Sequence, residues 1–136
     1  MPELTWDQSK SIGFESIDEQ HKKIFSIFNA LCLALETNQE WPAVKKAVDD
    51  LLQYAGTHFR DEERIMRDYG YPDERKHTRE HELFINKLGQ FEFGKMLNDP
   101  GLANEIFMFL ADWIVEHTST EDVCLGVFIQ KKLAEK

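Results

Sequence analysis

The stretch VKKAVDDLLQYAGTHFRDEERIM, residues 44–66, decides the fold. Val44, Val48, Leu51, Leu52, Ala55, His58, Phe59, Glu62 and Met66 recur at steps of three and four, the period of one face of an α-helix. That face begins apolar and ends on His58 and Glu62, so one helix carries both a core stripe and two ionisable side chains on the same face. Pro42 suits the first turn, and the spacing predicts a helix over roughly 41–67. Working outward, His21, Ile24, Phe25, Phe28, Leu31, Cys32 and Leu35 give a helix over roughly 18–37, with Asp18 at its start. Beyond the turn Tyr69-Gly70-Tyr71-Pro72, His77, His81, Phe84, Leu88 and Phe91 form a third stripe, to about residue 94. Asn98-Asp99-Pro100-Gly101 marks a break, after which Leu102, Ile106, Phe109, Leu110, Trp113 and His117 form a fourth. Residues 121–134 read as a further helical segment of weaker period. Short connections favour antiparallel neighbours, so the expected fold is all-α: an up-down-up-down four-helix bundle with an irregular arm of about 16 residues before it.

The whole chain fits this reading. Its 136 residues suit one domain spanning 1–136, and 42% hydrophobic with 30% charged residues is the balance of a chain that buries a core. A formal net charge of −9 argues against nucleic acid and anionic lipid as partners. The most apolar run, Ile106 to Val115, is broken by Asp112, so membrane insertion is not expected. Met1-Pro2-Glu3-Leu4-Thr5-Trp6-Asp7 has no basic or apolar leader region, and Cys32 and Cys124 form no disulfide framework or CxxC motif. The expected location is the cytoplasm.

The chemistry lies in the histidines. There are five, His21, His58, His77, His81 and His117, and each stands on the apolar stripe of its helix. His77 and His81, like His58 and Glu62, are four apart and project from one face. A lone histidine on such a face is ordinarily a hydrogen-bonded core residue. Five together, with a carboxylate among them, would accumulate a polar cost that a metal site removes. Imidazole and carboxylate without thiolate suit iron, manganese or zinc. Five imidazoles exceed what one tetrahedral zinc uses, so two metals bridged by carboxylates account for the set better. The second bridging acid should follow His117. Glu121, four residues on, is the choice of a regular helix; Asp122, five on, would need the helix to end, tighten or bulge, which Thr118-Ser119-Thr120 would permit. Spacing leaves both open.

Taken together, these pieces resemble the bacterial hemerythrins, single-domain di-iron oxygen-binding proteins. The matching strings are Trp6-Asp7, Gly13-Phe14, Ile17-Asp18-Glu19-Gln20-His21-Lys22, His58-Phe59-x-x-Glu62-Glu63, Met66, Gly70-Tyr71-Pro72, His77-x-x-x-His81 and Trp113-x-x-x-His117-x-x-x-x-Asp122. They run over nearly the whole chain and hold seven ligand positions in order. The resemblance implies that His77, His81 and His117 hold one iron, that His21 and His58 hold the other, and that Glu62 and Asp122 bridge them with an oxo or hydroxo group. It thereby favours Asp122 over Glu121. Six-coordinate irons would then retain one open position, on the iron with two imidazoles, where dioxygen would bind. Ile24, Phe59, Trp113, Ile114 and Thr118 are the candidates to line that pocket. The implied function is reversible dioxygen binding for storage, delivery or buffering by a non-enzymatic monomer, with an oxygen-consuming enzyme as recipient. The alternatives are a di-iron peroxidase, oxidase or nitric-oxide-handling enzyme, and an oxygen sensor acting through a separate partner.

Two positions depart from the family: Thr118 stands where an aliphatic residue is common, and Leu125 where a tyrosine is often found. Thr118 is expected to add polarity near the site. Glu63, Arg64, Arg67, Asp68 and Lys131-Lys132 read as solvated helix faces, Cys32 as core, Cys124 as a neighbour of the site in sequence, and Trp6 as packing the arm over a bundle end.

Overall fold

The computed structural model describes residues 4–37, 41–96 and 100–135, and among them every regular element is helical. The helices are α1 (Glu15–Glu36), α2 (Trp41–Tyr69), α3 (Glu74–Met96), α4 (Pro100–Ser119) and α5 (Glu121–Ala134), preceded by one 3-10 turn at Gln8–Lys10. Successive helices pack on one another through α4, and α5 packs against α4 and α2. This is the antiparallel four-helix bundle, with α5 as the short C-terminal segment. No described helix is long and apolar enough to cross a membrane. Asn98 and Asp99, expected in the break, and the Leu102 side chain lie outside what is described.

The stripes read from the sequence are the buried faces. Ile24, Phe25, Phe28, Leu31, Val48, Leu51, Ala55, Phe84, Leu88 and Leu110 form one continuous core. One assignment on α4 changes. Phe109, expected on the stripe, is only partly buried, with the Lys87 ammonium 5.0 Å from its ring centre. Its neighbour Phe107 is buried instead and stacks on Phe28, with centroids 4.8 Å apart. Apolar residues at 106, 107, 109 and 110 admit more than one helical phase, and packing against α1 selects it.

Two helix termini are set by local chemistry. Gly70 adopts φ 67° and closes α2: its N–H donates to the Arg67 carbonyl, and Tyr71 N–H donates to the Met66 carbonyl. This is a Schellman cap, completed by Met66 and Tyr71 sharing a second buried cluster with Leu125 and Ile129. At the same end of the bundle α1 begins at Glu15, three residues before the expected start. Asp18 therefore lies inside the first turn, and its carboxylate accepts from Ile12 N–H at 2.9 Å and from the Ser11 hydroxyl. The arm at Trp6 lies beside α1 rather than over a bundle end. It runs along α1, with Leu4 N–H donating to Asn29 Oδ1 at 2.9 Å and Lys22 Nζ 4.6 Å over the Trp6 ring.

The arm also passes over α5 so closely that only glycine fits beneath it. A Cβ on Gly126 would stand 2.6 Å from both Ile12 Cβ and the Ile12 carbonyl oxygen. Gly126→Ala gains up to about 1 kcal/mol of helix propensity but forces the arm outward, at an overpacking cost of about 1–3 kcal/mol. A net loss of stability in urea denaturation is expected; a variant more stable than the parent would show that the arm does not pack there.

Candidate metal centre

Five helices deliver the site. His21 comes from α1, His58 and Glu62 from adjacent turns of α2, His77 and His81 from adjacent turns of α3, His117 from α4, and Asp122 from the first turn of α5. All seven side chains are buried in the bundle. The five Nε2 atoms face two carboxylates that divide them into sets. On one side, His77 and His81 Nε2 lie 2.6 and 3.0 Å from Glu62 Oε1, while His77 and His117 Nε2 lie 2.9 and 3.0 Å from Asp122 Oδ1. On the other, His58 Nε2 lies 3.0 Å from Glu62 Oε2 and His21 Nε2 lies 3.0 Å from Asp122 Oδ2. Each carboxylate thus turns one oxygen to two imidazoles of the first set and its other oxygen to one imidazole of the second. The two ligand-type groups, Glu62-His77-His81-His117-Asp122 and His21-His58-Glu62-Asp122, share both acids.

The sequence left Glu121 and Asp122 in competition after His117, and the structure separates them. Helix α4 ends at Ser119 and α5 restarts at Glu121, with Thr120 between them at φ −119° and ψ −71°. Thr118 and Thr120 hydroxyls donate to the carbonyls of Ile114 and Glu116, tying off the end of α4. The break rotates Asp122 into the cluster and leaves Glu121 at the surface, 3.3 Å from Lys76 Nζ.

The residues present fit metal on three counts. Asp122 Oδ1 and Oδ2, Glu62 Oε2 and the Nε2 atoms of His21 and His117 are buried without an aligned hydrogen-bond partner. Several of these atoms nonetheless lie 3.0 Å apart, so their lone pairs aim at common points rather than at one another. Donors at right angles around one ion, each at about 2.1 Å from it, would be about 3.0 Å apart, which is the observed spacing. Finally, imidazole and carboxylate are the donor set of iron, manganese and zinc.

Without metal the cluster is held by charge. Burial opposes protonation of His21, but the Asp122 and Glu62 carboxylates push its pKa up to about 10. His77 behaves alike: burial opposes, the Asp122 and Glu62 carboxylates prevail, and the value rises to about 10. For Glu62, burial favours the neutral acid, but His58, His21 and His77 hold it well below the usual carboxylate range. Asp122 is also held low, because His117 and His21 outweigh its burial and its repulsion with Glu62.

The candidate pocket residues are placed unequally. Phe59 stacks flat on His81, with centroids 4.0 Å apart, and Trp113 on His117 at 4.3 Å. Ile24 and Ile114 are buried in the surrounding core. Thr118 is buried, but its hydroxyl donates to the Ile114 carbonyl at 2.8 Å, so the proton expected to make the site polar is engaged within its own helix. Leu125 is fully buried in the second cluster, and the exposed Cys124 belongs to neither ligand group.

Two residues that touch the centre were not singled out from sequence. Glu63, read as part of a solvated face, places Oε2 2.9 Å from His81 Nδ1. Gln20 places Oε1 2.7 Å from His58 Nδ1. The available signal was adjacency: each stands next to a residue of the cluster, about 100° around the helix, where it reaches the back of an imidazole on the neighbouring helix.

Comparison with known proteins agrees with this geometry. Residues 12–125 match the family model described as the hemerythrin HHE cation binding domain. The chain is 30% identical over 119 residues to a bacteriohemerythrin of Stenotrophomonas maltophilia, covering 88% of this chain and 76% of that one. It is 28% identical over 122 residues to one of Campylobacter jejuni, covering 90% and 92%. Among solved structures, a wild-type hemerythrin superimposes with a TM-score of 0.77 at 26% identity, over 90% of this chain and 95% of that chain.

Proposed function

The chain belongs to the hemerythrin family, and from that premise we propose that residues 1–136 form one oxygen-binding domain holding two iron ions with an oxo or hydroxo bridge. The observation that carries this reading is the division of the cluster by its two acids. Glu62 offers one oxygen to His77 and His81 and the other to His58, while Asp122 offers one to His77 and His117 and the other to His21. His77, His81 and His117 would hold one iron, His21 and His58 the other, and the carboxylates would bridge them. A di-iron unit held there would supply reversible two-electron binding of dioxygen.

The chain's own residues supply the surroundings that reversibility needs. Phe59 and Trp113 cover the faces of His81 and His117, fixing the rings and excluding water. Ile24 and Ile114 close the adjoining core with side chains that have no protons to give. Thr118 donates to a backbone carbonyl rather than into the site, which favours oxygen carriage over proton-coupled turnover of a substrate.

The test is to load the protein with iron, reduce it without air, then admit oxygen and afterwards argon while recording visible absorption. About two irons per chain, and a band that appears with oxygen and fades under argon, are expected. A band that decays to a stable oxidised spectrum would replace carriage with an enzyme or sensor role. Failure to take up iron would overturn the reading altogether.

A further inference from the structure

Two of the five converging imidazoles are braced from behind by described side chains of different charge. Gln20 Nε2 donates to Asp61 Oδ2 at 3.0 Å, and Asp61 is itself held by Arg64 at 2.7 Å. The Gln20 amide therefore turns its oxygen to His58, whose Nδ1–H must donate to it. His81 Nδ1–H donates instead to the carboxylate of Glu63. In both cases Nε2 is left as the lone-pair nitrogen facing the cluster. A carboxylate behind an imidazole makes that nitrogen a stronger electron donor than a neutral amide does.

We propose that Glu63 is a positioning residue that makes the two metal positions unequal, giving the one formed by His77, His81 and His117 an anion-backed imidazole while the other has only the amide-backed His58. The inference rests on the two-metal reading above. Its consequence is that the three-imidazole position holds its metal more firmly and stabilises the oxidised state. Phe59 fixes the His81 ring through its face and Glu63 through its edge, so the Nε2 direction is set from two sides. Glu63 also lines a solvent-open cleft of about 500 Å³ between α2 and α3, shared with Arg60, Glu82 and Asn86. Replacing it therefore opens no void in the core.

The experiment compares iron-loaded parent, Glu63→Gln, Glu63→Ala, Gln20→Glu and Glu82→Gln. Glu82 lines the same cleft, so its variant removes a carboxylate charge there while leaving the Glu63 hydrogen bond to His81 in place. Glu63→Gln keeps an acceptor for Nδ1–H but loses the charge; it is expected to keep both irons and to shift the reduction potential upward. Glu63→Ala should show the same upward shift and, in addition, lose one of its two irons to a chelator about 10–100-fold faster than the parent. Gln20→Glu should shift the potential downward, and Glu82→Gln should match the parent. If both Glu63 variants match Glu82→Gln in potential and in iron loss, the inference is wrong while the function stands. A parent protein that takes up no iron overturns both.

Discussion

Loading the centre with metal is expected to raise the melting temperature by more than about 10 °C over the metal-free protein, by a margin that widens from pH 6 to pH 9. Five imidazoles and two carboxylates are buried together, a polar set that bound metal would neutralise. Metal present at about a thousand times its dissociation constant contributes about 4 kcal/mol, and a chain of this size gains about 3–5 °C per kcal/mol. The pH trend follows from the direction of the shifts. His21 and His77 bind protons more tightly in the fold, with values near 10. Their stabilisation of the metal-free protein is complete below about pH 6.5 and is lost as pH rises through about 10. Glu62 and Asp122 are shifted down, so their contribution is complete above the usual carboxylate range and is lost only in acid. Metal uptake displaces the imidazole protons and is favoured by the same rise in pH. Calorimetry with and without chelator across this range measures the gap. Equal melting temperatures, or a gap that narrows with pH, would show that the cluster is not a metal site.

Asp122→Ala is expected to abolish retention of two metals, whereas Glu121→Ala should retain both. Asp122 offers an oxygen to each half of the cluster, so its loss weakens both positions at once. Loss of a residue that merely braces a ligand costs about 10–100-fold in affinity, and loss of a shared ligand should exceed that. Glu121 loses only a partly exposed ion pair with Lys76, worth at most about 1 kcal/mol. Because Asp122→Ala also leaves buried imidazolium groups without their counter-ion, Asp122→Asn serves as the companion variant: it keeps the shape and removes the charge. Metal counted per chain after gel filtration decides between them. Two metals retained by both Asp122 variants would remove that residue from the site.

The helices and the inward direction of the ligands were legible because both follow from period. His58 and Glu62, or His77 and His81, at a spacing of four must share a helix face with the apolar residues around them, and burial of that face leaves them no other direction. The same argument carried Phe28, Leu51 and Leu88 into the core. It faltered at Phe107 and Phe109, where a dense apolar run fits two phases and only packing against α1 distinguishes them.

What the sequence by itself determined is the set of side chains that must meet: five imidazoles and Glu62 on the stripes of four amphipathic helices. What only the tertiary structure decided is how they divide and what stands behind them. Asp122 enters because α4 stops at Ser119, and a helix end depends on capping bonds and neighbouring contacts that periodicity does not encode. Glu63 and Gln20 reach His81 and His58 across helix interfaces 18 and 38 residues apart in the chain. Such pairings depend on the relative rotation and height of two packed helices, quantities that no single helix's sequence contains.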